Sequence, residues 1–297
     1  MNPCAFPAGA GDVRALLKLA LAEDIGSGDL TTRLTIPRGT RARARVVARQ
    51  PLVVAGLALF APLVEALGAI GEAGAGANSL VLSEQVGDAT AVGTGASLCV
   101  IDGEAAAILT LERTLLNFVG HLSGIATETA AVVALVRTAG CTTRILDTRK
   151  TTPGLRRLEK YAVVCGGGSN HRMGLFDAVL IKDNHVIAAG GIDRAVRAAL
   201  AGAPAGTDVE VECDTIEQVA AALEAGAKSI LLDNFSPERV AEAVRFIAGR
   251  ARIEVSGGVT PETVVAYAKA GPDGISLGRL THSARAADIS MEIALLV

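Results

Sequence analysis

The sequence predicts an α/β chain built in two parts: a mixed α and β first third, then parallel strands joined by helical crossovers. Three observations carry this. Half of the 297 residues are apolar, so a large core forms without disulfide or metal staples. Beyond Gly140, short apolar runs alternate with alanine-rich helical stretches, the rhythm of parallel pairing with right-handed crossovers. Before Gly140, strands of period two mix with helical stretches, and nothing repeats.

The elements follow in order. Asp12 stands as the N-cap of a first helix, with Val13, Leu16, Leu17, Ala20 and Leu21 on one stripe. Glu23-Asp24-Ile25-Gly26-Ser27-Gly28-Asp29-Leu30-Thr31-Thr32 reads as a polar loop punctuated by glycine. Residues 41–49 alternate arginine with small or apolar residues, the signature of a half-buried strand. Further strands are expected at 80–83 and 97–101, with turns at Gly87-Asp88 and Gly93. Residues 104–136 are helical, expected as two helices broken near Ser123-Gly124, with Val132, Val133, Leu135 and Val136 buried. Strands then recur at 144–146, 178–181, 209–211, 229–232, 252–255 and 275–277. Helices are expected between most of them, at 193–200, 216–225, 237–248 and 261–270. Six strands are legible, with room for a seventh, which predicts an incomplete barrel.

Composition narrows the function. The net charge is −3, aromatic residues make up 3% and tryptophan is absent. A nucleic-acid binder carries a basic face and stacking aromatics, and neither stands here as a run. Cys4, Cys99, Cys141, Cys165 and Cys213 are scattered, odd in number and never paired as C-x-x-C, which predicts reduced, buried thiols in a cytoplasmic protein. The first residues lack a basic and apolar leader pattern. The apolar run at 53–67 is interrupted by Gly56, Pro62 and Glu65, so no membrane span is expected.

Chemistry-bearing residues gather where the later strands end. These ends read Asp147-Thr148-Arg149-Lys150, Lys182-Asp183-Asn184, Glu212-Cys213-Asp214, Asp233-Asn234, Ser256-Gly257-Gly258 and Gly278-Arg279. Ligands of barrels and open α/β sheets bind at that edge. One charged strand end means only that a strand meets solvent; six together point to a site. Arg149, Lys150, Arg172 and Lys182, with His171 beside them, flank the triple glycine Gly166-Gly167-Gly168 and suit an anionic ligand, since guanidinium forks match carboxylates and phosphates. Lys182 follows an apolar run and is expected to point into the barrel mouth. Glu210 and Glu212, two apart on a strand, face the same side. Glu212 with Asp233 suits a hydrated Mg²⁺, or equally a salt bridge to Lys182 or Lys150. Ser256-Gly257-Gly258-Val259-Thr260-Pro261 reads as a phosphate-binding turn or as a plain tight turn. The loop G-x-x-x-x-G-K-[ST], a G-x-G-x-x-G after a strand and H-E-x-x-H are all missing. His121, His185 and His282 are expected as hydrogen-bonded core residues.

These motifs resemble the quinolinate phosphoribosyltransferase (nicotinate-nucleotide pyrophosphorylase, carboxylating) family over nearly the whole chain. The resemblance rests on Glu23-Asp24-Ile25-Gly26 with Gly28-Asp29-Leu30-Thr31-Thr32, Glu112-Arg113-Thr114-Leu115-Leu116-Asn117-Phe118 and Leu122-Ser123-Gly124-Ile125-Ala126-Thr127. It continues through residues 147–154, Lys160-Tyr161-Ala162-Val163 and residues 166–185. It closes with Leu232-Asp233-Asn234, Ser256-Gly257-Gly258 and Leu280-Thr281-His282-Ser283. It implies an N-terminal α/β sandwich domain over 1–120 and a C-terminal open (incomplete) α/β barrel over 121–285. A last helix over 286–297 would return to the N-terminal domain.

The implied reaction takes quinolinate and phosphoribosyl pyrophosphate to nicotinate mononucleotide, pyrophosphate and carbon dioxide in NAD biosynthesis, with Mg²⁺ accompanying the pyrophosphate. A cytoplasmic homodimer with a shared site is implied, with no nucleic-acid or membrane partner. By the same resemblance Thr148, Arg149, Lys150, Arg172 and Lys182 hold the quinolinate carboxylates and neighbouring phosphates, supported by His171, and Arg113 comes from the other chain. Glu212 and Asp233 take the ribose hydroxyls and Mg²⁺. Ser256, Gly257 and Gly258 with Leu277, Gly278 and Arg279 take the 5′-phosphate. Lys150, Lys182, Glu212 and Asp233 are the implied catalytic set. Arg279 departs from the family, which usually has a small residue there. Two rivals stand beside this reading: a molybdenum-transport-associated paralogue of the same fold, and a non-catalytic protein binding anionic nucleotides. The intact cation motifs and acidic pair weigh against both.

Overall fold

The computed structural model describes residues 6–7, 9–70 and 76–296. Cys4 and the first residues, on which the absence of a leader was read, lie outside the described residues. The chain forms two compact units, one of Met1–Ala130, Thr151–Gly167 and Ser283–Val297, the other of Ala131–Lys150 and Gly168–His282.

The first unit is organised on a four-stranded antiparallel sheet. Strand β1 (Arg41–Ala48) lies between β12 (Ile289–Leu295) and β5 (Ser97–Glu104), and β3 (Val81–Gln85) pairs with β5. The alternation in β1 has the expected meaning. Ala42, Ala44 and Val46 are buried, while Arg43 reaches Asp102 and Arg45 and Arg49 both reach Glu292 on the opposite face. Cross-strand charge pairs of this kind hold register as well as adding modest stability.

Four local expectations are corrected here. Helix α1 (Gly11–Ile25) is capped at Ala10, and Asp12 sits in its first turn, where a carboxylate favours the helix N-terminus. The expected polar loop is largely helical: α1 runs to Ile25, and Asp29 caps a second helix, α2 (Leu30–Thr35), by accepting from Thr32 N. Residues 104–136 do not break; α4 (Ala105–Thr138) is one helix of 34 residues. Gly124 serves close packing instead, since a Cβ there would lie 2.0 Å from the carbonyl oxygen of Arg285. Ser123 turns its hydroxyl to the backbone of Ala55 as both donor and acceptor. Finally, the expected C-terminal helix is strand β12, antiparallel to β1 from Ala42↔Leu295 to Ala48↔Ile289. Ile289, Met291, Ile293 and Leu295 have period two, and partner strand β1 supplies the ladder that intrinsic helix propensity cannot outweigh.

Helix α4 is the one helix among the described residues long and apolar enough to cross a membrane, although its sequence is not an uninterrupted apolar run. Within its most apolar window 61% of the residues are buried inside the protein, as in a core helix. Val132, Val133 and Val136 are buried as expected, whereas Leu135 is 42% exposed.

The second unit holds six parallel strands: β6 (Arg144–Leu146), β7 (Val179–Ile181), β8 (Val209–Cys213), β9 (Ser229–Asp233), β10 (Arg252–Ser256) and β11 (Gly274–Ser276). Their order is β6-β11-β10-β9-β8-β7. Consecutive strands are neighbours and the first joins the last, so the sheet winds in one direction with a gap between β6 and β7. A single bridge from Leu146 to Ser169 stands at that gap. The seventh strand for which the sequence left room is not present among the described residues. Helices α7 (Ile192–Gly202), α8 (Ile216–Glu224) and α9 (Pro237–Ile247) match the sequence reading within two residues, and α10 (Val264–Lys269) starts three later than expected. Thr215 and Ser236 cap α8 and α9 through their hydroxyls.

Candidate active site

Every strand of the second unit delivers polar groups at its C-terminal end. The turn after β6 carries Thr148, Arg149 and Lys150, with the Thr148 hydroxyl accepting from Lys150 N at 3.0 Å. Asp147 is fully buried and accepts from His171 N at 2.9 Å, while Asp147 N donates to Ser169 O. One carboxylate thus ties the Asn170-His171-Arg172 segment to the end of β6. The sequence reading gave Asp147 no role of its own; its signal was an acid directly after an apolar run.

Arg172 is the most informative cation. Its Nη1 donates to Ala178 O at 3.2 Å, and its buried Nε meets no hydrogen-bond partner among the described residues. Burial and the like charge of Arg149 hold the guanidinium's pKa below its ordinary value. Two guanidiniums held together in partial burial call for an anion.

Lys182 follows β7, and its Nζ donates to Glu212 Oε2 at 3.0 Å across to the end of β8. The side chain is 47% exposed, so it stands at the rim of the mouth rather than buried within it. Of the two readings left open for Glu212, the salt bridge is therefore observed. Asp233 ends β9, where Asn234 Nδ2 donates to it at 2.7 Å. Burial, then the neighbouring charge of Asp214, raises its pKa above the ordinary carboxylate value.

Ser256 ends β10 and accepts at its carbonyl from Asn234 N. Gly257 and Gly258 follow with φ of 94° and 63°. A Cβ on Gly257 would lie 2.3 Å from Asn234 Oδ1, so glycine is required twice over. After β11, Leu277 is buried and Gly278 and Arg279 are half-buried. Gly278 packs tightly: a Cβ there would lie 2.9 Å from Lys150 Cδ and 3.2 Å from His282 Cδ2. Thr281 Oγ1 donates to Lys150 O, fixing the turn that carries the lysine.

Two of the three histidines expected as hydrogen-bonded core residues, His185 and His282, are exposed instead. His282 is exposed and stands beside Lys150, at the site. His185 is exposed and accepts at Nδ1 from Lys182 N, so it holds the lysine's backbone. His121, in the first unit, pairs through Nε2 with buried Glu159 at 2.9 Å, and Glu159 also accepts from Thr152 N. Arg113 is exposed on α4 in the first unit. Cys99 and Cys213 are buried free thiols, while Cys141 and Cys165 are only partly buried.

Behind His171 lies an acidic pair. His171 Nε2 is 3.1 Å from Glu210 Oε2 and 3.6 Å from Glu254 Oε1. Both carboxylates are buried, on β8 and β10, and line a small cavity of about 100 Å³ with Arg172 and Arg252. Glu210 was legible as the same-face neighbour of Glu212. Glu254 was not singled out, although a carboxylate between Ile253 and Val255 on a buried strand was the available signal. The three ligand-type atoms lie within 4.8 Å of one another. Arg172 and Arg252 line the same cavity, so a metal cation there would face two guanidiniums.

Fold and site together define an α/β-barrel protein whose mouth sets cations against carboxylates and a glycine turn, a receptor for small polyanions. Comparison with known proteins gives the family. Residues 29–123 match the quinolinate phosphoribosyl transferase N-terminal domain and residues 125–292 the C-terminal domain. The chain is 42% identical over 297 residues to the nicotinate-nucleotide pyrophosphorylase [carboxylating] of Mycobacterium leprae, covering 99% of this chain and 100% of that one. It is 40% identical to the probable Bacillus subtilis counterpart, over 95% of this chain and 94% of the relative. The solved nicotinate-nucleotide pyrophosphorylase from Francisella tularensis superposes with a TM-score of 0.88 at 37% identity, covering 99% of both chains. The chain belongs to the quinolinate phosphoribosyl transferase family.

Proposed function

We propose that this chain transfers the phosphoribosyl group of phosphoribosyl pyrophosphate to quinolinate, with loss of carbon dioxide, giving nicotinate mononucleotide for NAD synthesis. The observation that carries the reading is the partly buried Arg172, whose Nε meets no hydrogen-bond partner among the described residues and which has Arg149 near enough to act on its charge. Two adjacent carboxylates on one planar ring are the ligand that relieves that arrangement. Family membership supplies the matching substrate, and the intact cation set weighs against the molybdenum-associated and non-catalytic readings.

We assign Thr148, Arg149, Lys150, His171 and Arg172 to the pyridine dicarboxylate, and Ser256, Gly257, Gly258, Leu277, Gly278 and Arg279 to the 5′-phosphate. Lys182 holds Glu212 at the mouth. Transfer at the ribose C1 develops positive charge on the sugar, which a carboxylate such as Glu212 stabilises. Asp233 is placed to orient the ribose hydroxyls. Once the ring nitrogen is glycosylated it is cationic and accepts the electron pair left by the departing carboxylate, so no organic cofactor is required.

Glu212 and Asp233, with Asp214 near, offer the hard oxygen donors that Mg²⁺ prefers. The raised pKa of Asp233, caused by burial and then by Asp214, marks an under-compensated acidic group that a cation suits. Bound with the donor, Mg²⁺ would neutralise charge on the leaving pyrophosphate. We further propose a cytoplasmic homodimer, with Arg113 serving the partner's site.

The deciding experiment offers quinolinate or nicotinate with phosphoribosyl pyrophosphate and Mg²⁺. Nicotinate mononucleotide from quinolinate is expected; use of nicotinate alone would overturn the reading. Mixing inactive Arg113→Ala and Lys182→Ala chains should restore activity through hybrid dimers. No recovery despite demonstrated subunit exchange would remove the shared site.

A further inference from the structure

The proposed reaction replaces a carboxylate by hydrogen, so a proton must reach the pyridine ring at C2. Most groups around the mouth are poor sources. Arginine and lysine hold their protons too firmly, and ionised carboxylates have none to give. Only one cluster among the described residues of the second unit combines a histidine with two buried carboxylates, and it opens on the cavity that Arg172 lines.

On the strength of the quinolinate reading, we infer that His171, held by Glu210 and Glu254, is the acid that protonates C2 after carbon dioxide leaves. The bond between C2 and the carboxylate carbon breaks, and its electron pair stays on C2 beside the cationic ring nitrogen. An imidazolium N–H bond then breaks, its pair remains on the imidazole nitrogen, and the proton closes the C–H bond. Water returns a proton to the ring before the next turnover.

The geometry explains why two carboxylates stand behind one ring. His171 Nε2 points at Glu210 at 3.1 Å, and Ser229 Oγ donates to the other oxygen of that carboxylate at 2.9 Å, which fixes its orientation. Glu254 stands farther from the ring, at 3.6 Å, with Oε1 buried and lacking a hydrogen-bond partner among the described residues. Burial and the facing charge of Glu210 push Glu254 up to about 7. The charged and titratable groups facing it are Glu210, His171, Arg252, Arg172, Arg144 and Asp208. A protonated Glu254 leaves the ring opposed by one negative charge instead of two. Two buried carboxylates thus face one ring at unequal distances, an arrangement suited to a ring that gives up and regains a proton.

The test is a single turnover with quinolinate labelled in the leaving carboxyl, following pyrophosphate and carbon dioxide separately by rapid quench. In the wild type the two should appear together. In Glu254→Gln, pyrophosphate should form within about three-fold of the wild-type rate while carbon dioxide release falls by more than about ten-fold, with carboxylated nucleotide accumulating; in His171→Asn, which also loses a contact to the dicarboxylate, carbon dioxide release should lag pyrophosphate formation by more than about ten-fold, whatever the rate of the latter. The carbanion recaptures carbon dioxide when no acid traps it, which separates the two products. Glu254→Asp, which keeps the acid, should restore much of the lost step and also serves if the glutamine variant does not fold. Pyrophosphate and carbon dioxide remaining in step in both variants, whether fast or slow, would overturn the assignment and leave the cluster a structural role. A wild type that never consumes quinolinate would instead overturn the reading on which this one rests.

Discussion

Gly257→Ala is the sharpest test of the glycine turn after β10. At φ of 94° an alanine adopts a backbone conformation it rarely takes, and its Cβ would lie 2.3 Å from Asn234 Oδ1. The left-handed backbone costs roughly 1–2 kcal/mol. Moving Asn234 aside also sacrifices its hydrogen bond to Asp233, a charged acceptor, worth about 1.5–3 kcal/mol. Together these predict a loss of about 2.5–5 kcal/mol, read as a lower urea midpoint. Gly140→Ala is the control, because Gly140 has φ of 76° with nothing within 4 Å. It should lose only the backbone contribution, about 1–2 kcal/mol.

The same substitution should separate the two substrates. If the turn holds the 5′-phosphate, displacing its N–H groups removes a charge-assisted hydrogen bond of about 1.5–3 kcal/mol, or roughly 10- to 150-fold in the donor's KM. Quinolinate affinity, measured without the donor, should stay within about two-fold, since distant sites act nearly independently. A Gly257→Ala protein no less stable than Gly140→Ala, with an unchanged donor KM, would refute both the packing argument and the phosphate assignment.

Three further outcomes are expected. Arg172→Ala should lower kcat/KM for quinolinate by roughly 30- to 150-fold, from about 2–3 kcal/mol of charge-assisted binding. An Arg172→Ala protein with unchanged kcat/KM for quinolinate would contradict this. For Glu254 the pH dependence has a definite sign. Its folded value near 7 exceeds its ordinary 4.5, so the folded chain keeps a proton the unfolded chain has shed, and stability falls as pH rises through that interval. Glu254→Gln should therefore gain on the wild type by up to roughly 3 kcal/mol between about pH 5 and pH 8, and parallel stability curves would sink the argument. Gly124→Ala should cost about 2–4 kcal/mol, because its Cβ would meet a backbone carbonyl and not a flexible side chain. Unchanged thermal unfolding would show that α4 and the 285–286 segment separate freely.

The second unit was the more legible part because each strand stands between turn residues and each crossover helix repeats its apolar stripe. Six short apolar runs therefore became β6–β11 within a residue or two. The polar edge was legible for the same reason: where an apolar run ends in Asp147, Lys182, Glu212 or Asp233, the chain leaves the sheet at the face where barrels bind ligands. What escaped depended on partners distant in sequence. Residues 289–295 are a strand because β1 stands beside them, and no local signal names that partner. Gly124 looked like a helix break because its reason lies at Arg285, and Glu254 stayed silent because its meaning comes from His171 and Glu210 on other segments.

Those missed residues bear on how the site works. A mouth made only of Arg149, Lys150, Arg172 and Lys182 would hold polyanions firmly and have no acid of suitable strength. One made only of Glu212 and Asp233 would repel both substrates. The fold keeps the two sets on different strand ends, and Lys182 meets Glu212 at the rim at 3.0 Å, where solvent weakens the pair. Deep in the barrel the balance is different. Around His171 the carboxylates are buried and close, so each charge changes the acidity of the next. Under the proposed reading, the solvated Lys182–Glu212 contact serves a rim where ionic contacts form and break cheaply, and the buried His171 cluster serves proton transfer, where a single charge matters most.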